Sequence, residues 1–195
     1  ICLSTGKEVT FVKKEEFGYR LACACASVVS AEQELTEIDS HFGDADHGLT
    51  MKKIAGAIDS AVKGSDGGIQ EMLDDAAMAV MVLNGGSAGP LWNAWLDGMQ
   101  EDAPEVDEID VLGIKAIFKR AFEELDSVSG AKVGDKTMMD ALIPASEAIA
   151  AYEGSDEDEL FAIAAKAAAD GAEASRQFVS KFGRAKSCLL YTSDA

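Results

Sequence analysis

The chain has 195 residues, 48% of them apolar, which is enough for one domain with a real hydrophobic core and excludes wholesale disorder. Seventeen Lys and Arg stand against 35 Asp and Glu, a formal charge of −18; such a surface repels phosphate backbones and anionic lipid, so nucleic acid and membrane surfaces are poor partners and divalent cations good ones. Apolar runs are broken by charge or glycine well short of the roughly 20 residues of a membrane span, and no secretory signal is recognisable.

In chain order, residues 1–11 read as a translated leader, because Lys7-Glu8-Val9-Thr10 is what a purine-rich ribosome-binding site encodes when read through, and the first methionine is Met51. The domain is expected over 12–186. Helical periodicity predicts helices over 14–37, 49–63, 69–83, 88–100, 109–125, 136–152 and 155–181. The clearest is 109–125, where Ile114, Ile117, Phe118, Ala121, Phe122 and Leu125 share one face opposite Lys115, Lys119, Arg120, Glu123 and Glu124. Pro144 should kink the helix that contains it, and Ser155 with Asp158 should cap the next. Alternating β-branched runs bounded by hairpin turns are missing, so the expected architecture is all-α, an antiparallel bundle or barrel. Cys2, Cys23, Cys25 and Cys188 are too scattered for a disulfide scaffold, and Cys23-x-Cys25 has no second pair at zinc-site spacing. Both read as small packing residues in a reducing cytoplasm. Residues 187–195 break off the helical, acidic character and read as a non-native tail.

The first stretch that carries chemistry is Glu37-Ile38-Asp39-Ser40-His41-Phe42-Gly43-Asp44-Ala45-Asp46-His47-Gly48. Asp39, Asp44 and Asp46 can converge because glycine lets the backbone double back, and hard oxygen ligands in that number suit magnesium or calcium. The EF-hand loop is excluded, since its alternate acidic positions, central glycine and closing glutamate are absent. An isolated D-x-D is more often a helix-capping loop than a metal site, but a second feature follows. Asn84-Gly85-Gly86-Ser87-Ala88-Gly89-Pro90 is a glycine-rich turn between two predicted helices, where backbone N–H groups and a helix N-terminus can meet phosphate. It matches neither the Walker A nor the Rossmann pattern. A third motif, Gly130-Ala131-Lys132-Val133-Gly134-Asp135-Lys136-Thr137-Met138, opens a helix, and a fourth, Gly183-Arg184-Ala185, carries an arginine suited to phosphate. Lys136 reads alone as a solvated helix start, Asp135 as its cap, His41 as a loop residue, and Trp92, Trp95 and Phe118 as core.

Together, in this order, the motifs G-D-A-D-H-G, G-G-S-A-G-P, G-D-K-T-M and G-R-A resemble the nucleotide-binding L subunit, or C-terminal L domain, of dihydroxyacetone kinases, over about residues 14–186. The resemblance implies a barrel of eight antiparallel helices carrying ADP or ATP at one rim with two magnesium ions; the family segment after G-R-A is absent where the tail begins, so the last helix is expected to be missing. It implies that Asp39, Asp44 and Asp46 ligate magnesium, and that His47, Gly48, Leu49 and Thr50 meet phosphate, asparagine often standing in the family where Thr50 stands. Ser87 and Ala88 occupy the glycine-rich loop's nucleotide positions in swapped order. Gly130 and Met138 match adenine-side contacts, and Arg184 a phosphate contact. It further implies a kinase component, inactive alone, that passes a phosphoryl group to dihydroxyacetone held on a separate K subunit, with a phosphocarrier M subunit recharging the nucleotide in the phosphotransferase-system version. The alternatives are an L domain of a one-chain ATP-dependent ketose kinase, and a nucleotide-binding co-regulator that contacts a transcriptional regulator.

Overall fold

Amphipathic segments that bury one stripe each account for nearly all of the architecture seen in the computed structural model, which describes residues 10–41, 43–84, 86–183 and 186. Eight α-helices are present among these: α1 (Lys14–Ser30), α2 (Glu32–Ser40), α3 (His47–Gly64), α4 (Ile69–Met81), α5 (Ala88–Glu101), α6 (Val111–Ser129), α7 (Met139–Ala151) and α8 (Glu157–Ala174). Consecutive helices from α3 to α8 are packing neighbours, and α1 and α2 both lie on α3. The core is built from helical repeats such as Ile69, Leu73, Ala76 and Val80 of α4 and Ile114, Ile117, Ala121 and Leu125 of α6, all fully buried. Trp95, Phe118 and Phe161 continue it as edge-to-face rings 6.0 Å apart. The all-α expectation holds, and no helix among the described residues is long and apolar enough to cross a membrane.

Several boundaries differ from the sequence reading. The predicted helix 14–37 is two helices that break at Ala31, whose N–H folds back onto Ser27 and Val28 carbonyls. Ser27 and Ser30 hydroxyls compete for the Cys23 and Ala26 carbonyls in the same turns, and Val28 and Val29 are β-branched. That split is why eight helices appear where a fold short of its last member was expected. The final helix stops at Ala174 rather than 181, followed by a 3-10 turn at Ser175–Gln177, and its N-cap is Asp156, which accepts from the Glu159 N–H at 2.9 Å, not Ser155. A two-stranded antiparallel ribbon is also present, β1 (Phe11–Lys13) with β2 (Glu108–Asp110), Phe11 opposite Asp110. Thr10 and Phe11, at the end of the stretch read as leader, contact the helical domain: Phe11 pairs in the ribbon, and the Thr10 hydroxyl reaches the Ser155 carbonyl (3.0 Å) and the Glu157 carboxylate (2.9 Å). Residues 1–9 and the tail 187–195 lie outside the described residues.

Between α1 and α8 the seam is crossed by Arg20, 2.7 Å from Asp158 and 5.6 Å from the centre of the Phe161 ring. Against it sits an apolar cavity of about 320 Å³ lined by Phe17, Leu21, Ala24, Met99, Phe118 and Phe161.

Helix α7 runs unbroken through Pro144. Proline has no N–H for the Asp140 carbonyl four residues earlier, and α8 approaches there so closely that a Cβ on Gly171 would lie 2.1 Å from that oxygen and 3.1 Å from Pro144 Cγ. Glycine at 171 is what lets α8 seat on the proline turn. Gly171→Ala should therefore cost about 1–3 kcal/mol by forcing the two helices apart. Gly56→Ala, where the added Cβ meets open space, should instead gain up to ~1 kcal/mol from helix propensity. Urea denaturation of both variants checks the pair.

Candidate functional site

The site begins where α2 ends. The Asp39 carboxylate reaches across the following loop, and its Oδ2 accepts the Asp46 N–H at 3.0 Å and the His47 N–H at 3.3 Å, satisfying donors at the start of α3 that have no intrahelical partner. The chain can turn this tightly because residue 43 is glycine: its N–H donates to the Asp39 carbonyl at 2.6 Å, and a Cβ there would fall 1.9 Å from Asp39 Oδ1. Ala45 sits at φ +58°, a left-handed conformation that a residue with a Cβ adopts at a cost of roughly 1–2 kcal/mol. The result is that one carboxylate oxygen from each of Asp39, Asp44 and Asp46 lies within 4.8 Å of the others. Such a set of hard, anionic donors fits a magnesium-type cation, which removes their mutual repulsion.

This acidic loop is one wall of a cleft of about 590 Å³. The second wall is the turn into α5, where Gly86 takes φ +55° and Ser87 and Ala88 line the cleft. The Ser87 side chain makes no cap to α5, and Pro90 in its first turn carries no N–H, so the positive end of that helix is left to neighbouring acceptors. The third wall is Lys136, Thr137 and Met138, at the start of α7. Met51, Leu91 and Trp92 supply apolar lining, and Ser180, Phe182 and Gly183 add a further side. A cleft with carboxylates at one edge and three helix N-termini around it can hold a metal ion and a polyanion together.

The third wall is built by two carboxylates, Asp140, which the sequence reading does not single out, and Asp135, which it reads only as a helix cap. Asp140 is 1% exposed and accepts the Gly134 N–H at 2.6 Å and the Thr137 N–H at 2.7 Å, while Thr137 Oγ1 accepts the Met139 N–H at 3.1 Å. Asp140 thus holds the 134–137 turn against the first turn of α7, a tie visible in the sequence as T-x-x-D. Asp135 is 7% exposed and caps nothing at α7; its carboxylate accepts the Lys132 N–H at 2.8 Å and Lys181 Nζ at 2.6 Å. The Lys181 ammonium, then the Lys132 N–H, hold the Asp135 carboxyl below its ordinary pKa.

Of the residues singled out from sequence, Asp39, Asp44, Asp46, His47, Thr50, Ser87, Ala88 and Met138 meet at the cleft. Gly48 does not line it. It lets α3 pack on α2, since a Cβ would stand 2.0 Å from the Glu32 carbonyl and 2.2 Å from Thr36 Oγ1. Leu49, 46% exposed, points off the cleft, and Gly130 closes α6 with a left-handed C-cap at φ +60°, its N–H on the Asp126 carbonyl. Arg184 lies outside the described residues. Trp92, expected as core, packs on the core and lines the cleft as well.

Comparison with known proteins places these features in a family context. The DAK2 domain family matches residues 41–190. A D-erythrulose kinase of Mycolicibacterium smegmatis is 33% identical over 165 residues, which is 82% of this chain and 28% of that protein. The ADP-binding subunit DhaL of a PEP-dependent dihydroxyacetone kinase from Listeria innocua is 27% identical over 174 residues, 87% of this chain and 80% of the relative. In three dimensions the chain superposes on the dihydroxyacetone kinase from C. freundii, solved with AMP-PNP and Mg2+, with a TM-score of 0.65 at 22% identity, over 90% of this chain and 32% of that one. At that identity the likeness is one of fold.

The low folded-state pKa of Asp135 fixes the sign of a pH effect. A carboxyl held lower in the folded than in the unfolded state adds stability above its ordinary pKa, near 4, and that stability fades as pH falls through the folded value. The wild type should lose stability on acidification below about pH 4 more steeply than Asp135→Asn, which has no such charge to lose. Thermal melts from pH 7 downward on both proteins measure the difference in slope.

Proposed function

This chain belongs to the DAK2 domain family, and from that premise we propose that it is the nucleotide-carrying component of a kinase acting on short-chain ketoses. The observation that carries the reading is the convergence of Asp39, Asp44 and Asp46 within 4.8 Å at one edge of a cleft walled by helix N-termini. We assign these three as ligands of two magnesium ions that also bind phosphate, sharing the carboxylate oxygens that remain once Asp39 Oδ2 is engaged by the Asp46 and His47 N–H groups. Magnesium bound there neutralises phosphate charge and ties the nucleotide to the protein. The protein's own part is positioning. In this reading His47 and Thr50 on α3 and Ser87 and Ala88 at the start of α5 face the phosphates, and Arg184 is assigned a phosphate contact on the resemblance alone. Gly48 and Leu49 contribute through the first-turn N–H groups of α3, which have no intrahelical acceptor, even though their Cα positions face elsewhere. Met138 is assigned to the adenine side, and Gly130, which does not line the cleft, is assigned there on the resemblance alone.

In this reading the acceptor is dihydroxyacetone held on a partner K subunit, as the likeness to a DhaL subunit of a dihydroxyacetone kinase suggests, and the partner brings the acceptor hydroxyl in line with the transferred group. We favour recharging of bound ADP by a phosphocarrier M subunit, in the cytoplasm, on the likeness to the Listeria innocua subunit over 80% of its length. The 33% identity to a D-erythrulose kinase supports the alternative, an ATP-dependent kinase whose acceptor is a C4 ketose.

ADP should bind only with magnesium, and Asp39→Asn, Asp44→Asn and Asp46→Asn should each weaken it by about tenfold or more. Calorimetric titration decides, and unchanged affinity in all three variants overturns the assignment. The chain alone, given ATP and dihydroxyacetone, should form no product until a K subunit is added. Turnover without one would place the acceptor site in this chain.

A further inference from the structure

The wall of the cleft formed by Ser180, Phe182 and Gly183 follows the 3-10 turn after α8 and has no helix or strand of its own to hold it. Its described ties run to Asp135, 46 residues earlier: the Lys181 N–H donates to the Asp135 carbonyl at 3.1 Å, and Lys181 Nζ to Asp135 Oδ1 at 2.6 Å. The second carboxylate oxygen of Asp135 takes the Lys132 N–H, so one buried side chain joins the 130–138 loop to the 180–183 wall. The same loop is pinned from the other side by Asp140, through Gly134 and Thr137. Met138 and Phe182, which both line the cleft, thus belong to two segments that Asp135 ties together. Neither Asp135 nor Lys181 lines the cleft, and the Lys181 side chain is 63% exposed. A charged hydrogen bond with one partner buried and pre-oriented by a backbone N–H is of the stronger kind, and it replaces regular secondary structure as the restraint on this segment.

We propose that Asp135 and Lys181 are positioning residues that set the width of the nucleotide cleft, holding the Ser180–Gly183 wall against the Thr137–Met138 wall without touching the ligand. This rests on reading the cleft as a magnesium–nucleotide site. Breaking the pair leaves the acidic loop and the α3 and α5 N-termini in place, so Mg-ADP still binds, but the fourth side must be ordered at the moment of binding and affinity falls accordingly. Because the two residues act as one unit, their losses do not add.

The test uses the full chain as wild type, Lys181→Gln, Asp135→Asn, the double variant and Lys181→Arg; asparagine keeps an acceptor for the Lys132 N–H. Mg-ADP affinity is measured by calorimetry, stability without nucleotide by thermal melting, and amide exchange at Lys181–Gly183 by mass spectrometry. Each single variant should weaken Mg-ADP by about five- to twentyfold, the double should be no weaker than the poorer single, and Lys181→Arg should return to within about twofold of wild type. Exchange at 181–183 should rise in the ligand-free singles while their melting temperature moves by less than about 4 °C. Additive losses would mean that Lys181 meets phosphate directly, and a loss of affinity that tracks a general fall in melting temperature would mean a merely structural pair; either overturns the inference. Wild type that binds Mg-ADP with all variants unchanged overturns it alone, whereas wild type that does not bind Mg-ADP overturns the site reading and the inference with it.

Discussion

Three carboxylates within 4.8 Å of one another repel strongly, and a fold keeps them so only where something stronger compels it. Here the compulsion is Asp39, which spends one oxygen on the Asp46 and His47 N–H groups and so locks the loop to the start of α3. The same bond fixes where α3 begins, and α3 is the helix on which α1, α2 and α4 all pack. Closing the loop further demands glycine at 43, beside the Asp39 carboxylate, and a left-handed Ala45. Strain and like charge are therefore concentrated in one short loop, which is where a bound cation returns the most free energy.

The overall charge of −18 makes an anion site improbable on long-range electrostatics, so the cleft has to work by short-range means. It does so with helix N-termini and glycine turns in place of a basic patch. The start of α3 and the turn through Gly86 into α5, which the Ser87 side chain does not cap, supply oriented N–H groups whose fields act within a turn's length and are little affected by the distant acidic surface. A metal ion is the natural complement: it cancels the loop's charge while the helix ends face the phosphates.

Much of the fold was legible. The stripes of α4 and α6 repeat every three to four residues without interruption, and each was found to within a few positions. What escaped detection was decided by contacts remote in sequence or by cues weaker than periodicity. Strands of three residues are too short to show alternation, and β1 pairs with β2 from nearly a hundred residues away. The break at Ala31 comes from serine hydroxyls and valines in a stretch whose apolar pattern continues, and the stop at Ala174 follows an alanine-rich run with no glycine or proline in the next eight residues to mark the end. In the site, the acidic trio and the glycine turn were visible because their chemistry is written in adjacent residues. Gly48 was read for phosphate because it lies inside that motif, although its lack of a side chain is used by the α2 contact. Asp135 was read as a local cap because nothing in the sequence links it to Lys181.

The central claim is that the acidic loop and the surrounding helix N-termini form one site for magnesium and nucleotide. Amide chemical-shift mapping of the isotopically labelled chain tests it most directly, with magnesium added first and ADP second. Magnesium alone should move resonances from Asp39 to His47, and ADP should then move Gly48–Thr50, Gly86–Gly89 and Thr137–Met138 together, leaving the amides around Phe17, Phe118 and Phe161 unmoved. Shifts centred on that apolar cavity, or ADP-induced shifts that spare the acidic loop, would contradict it.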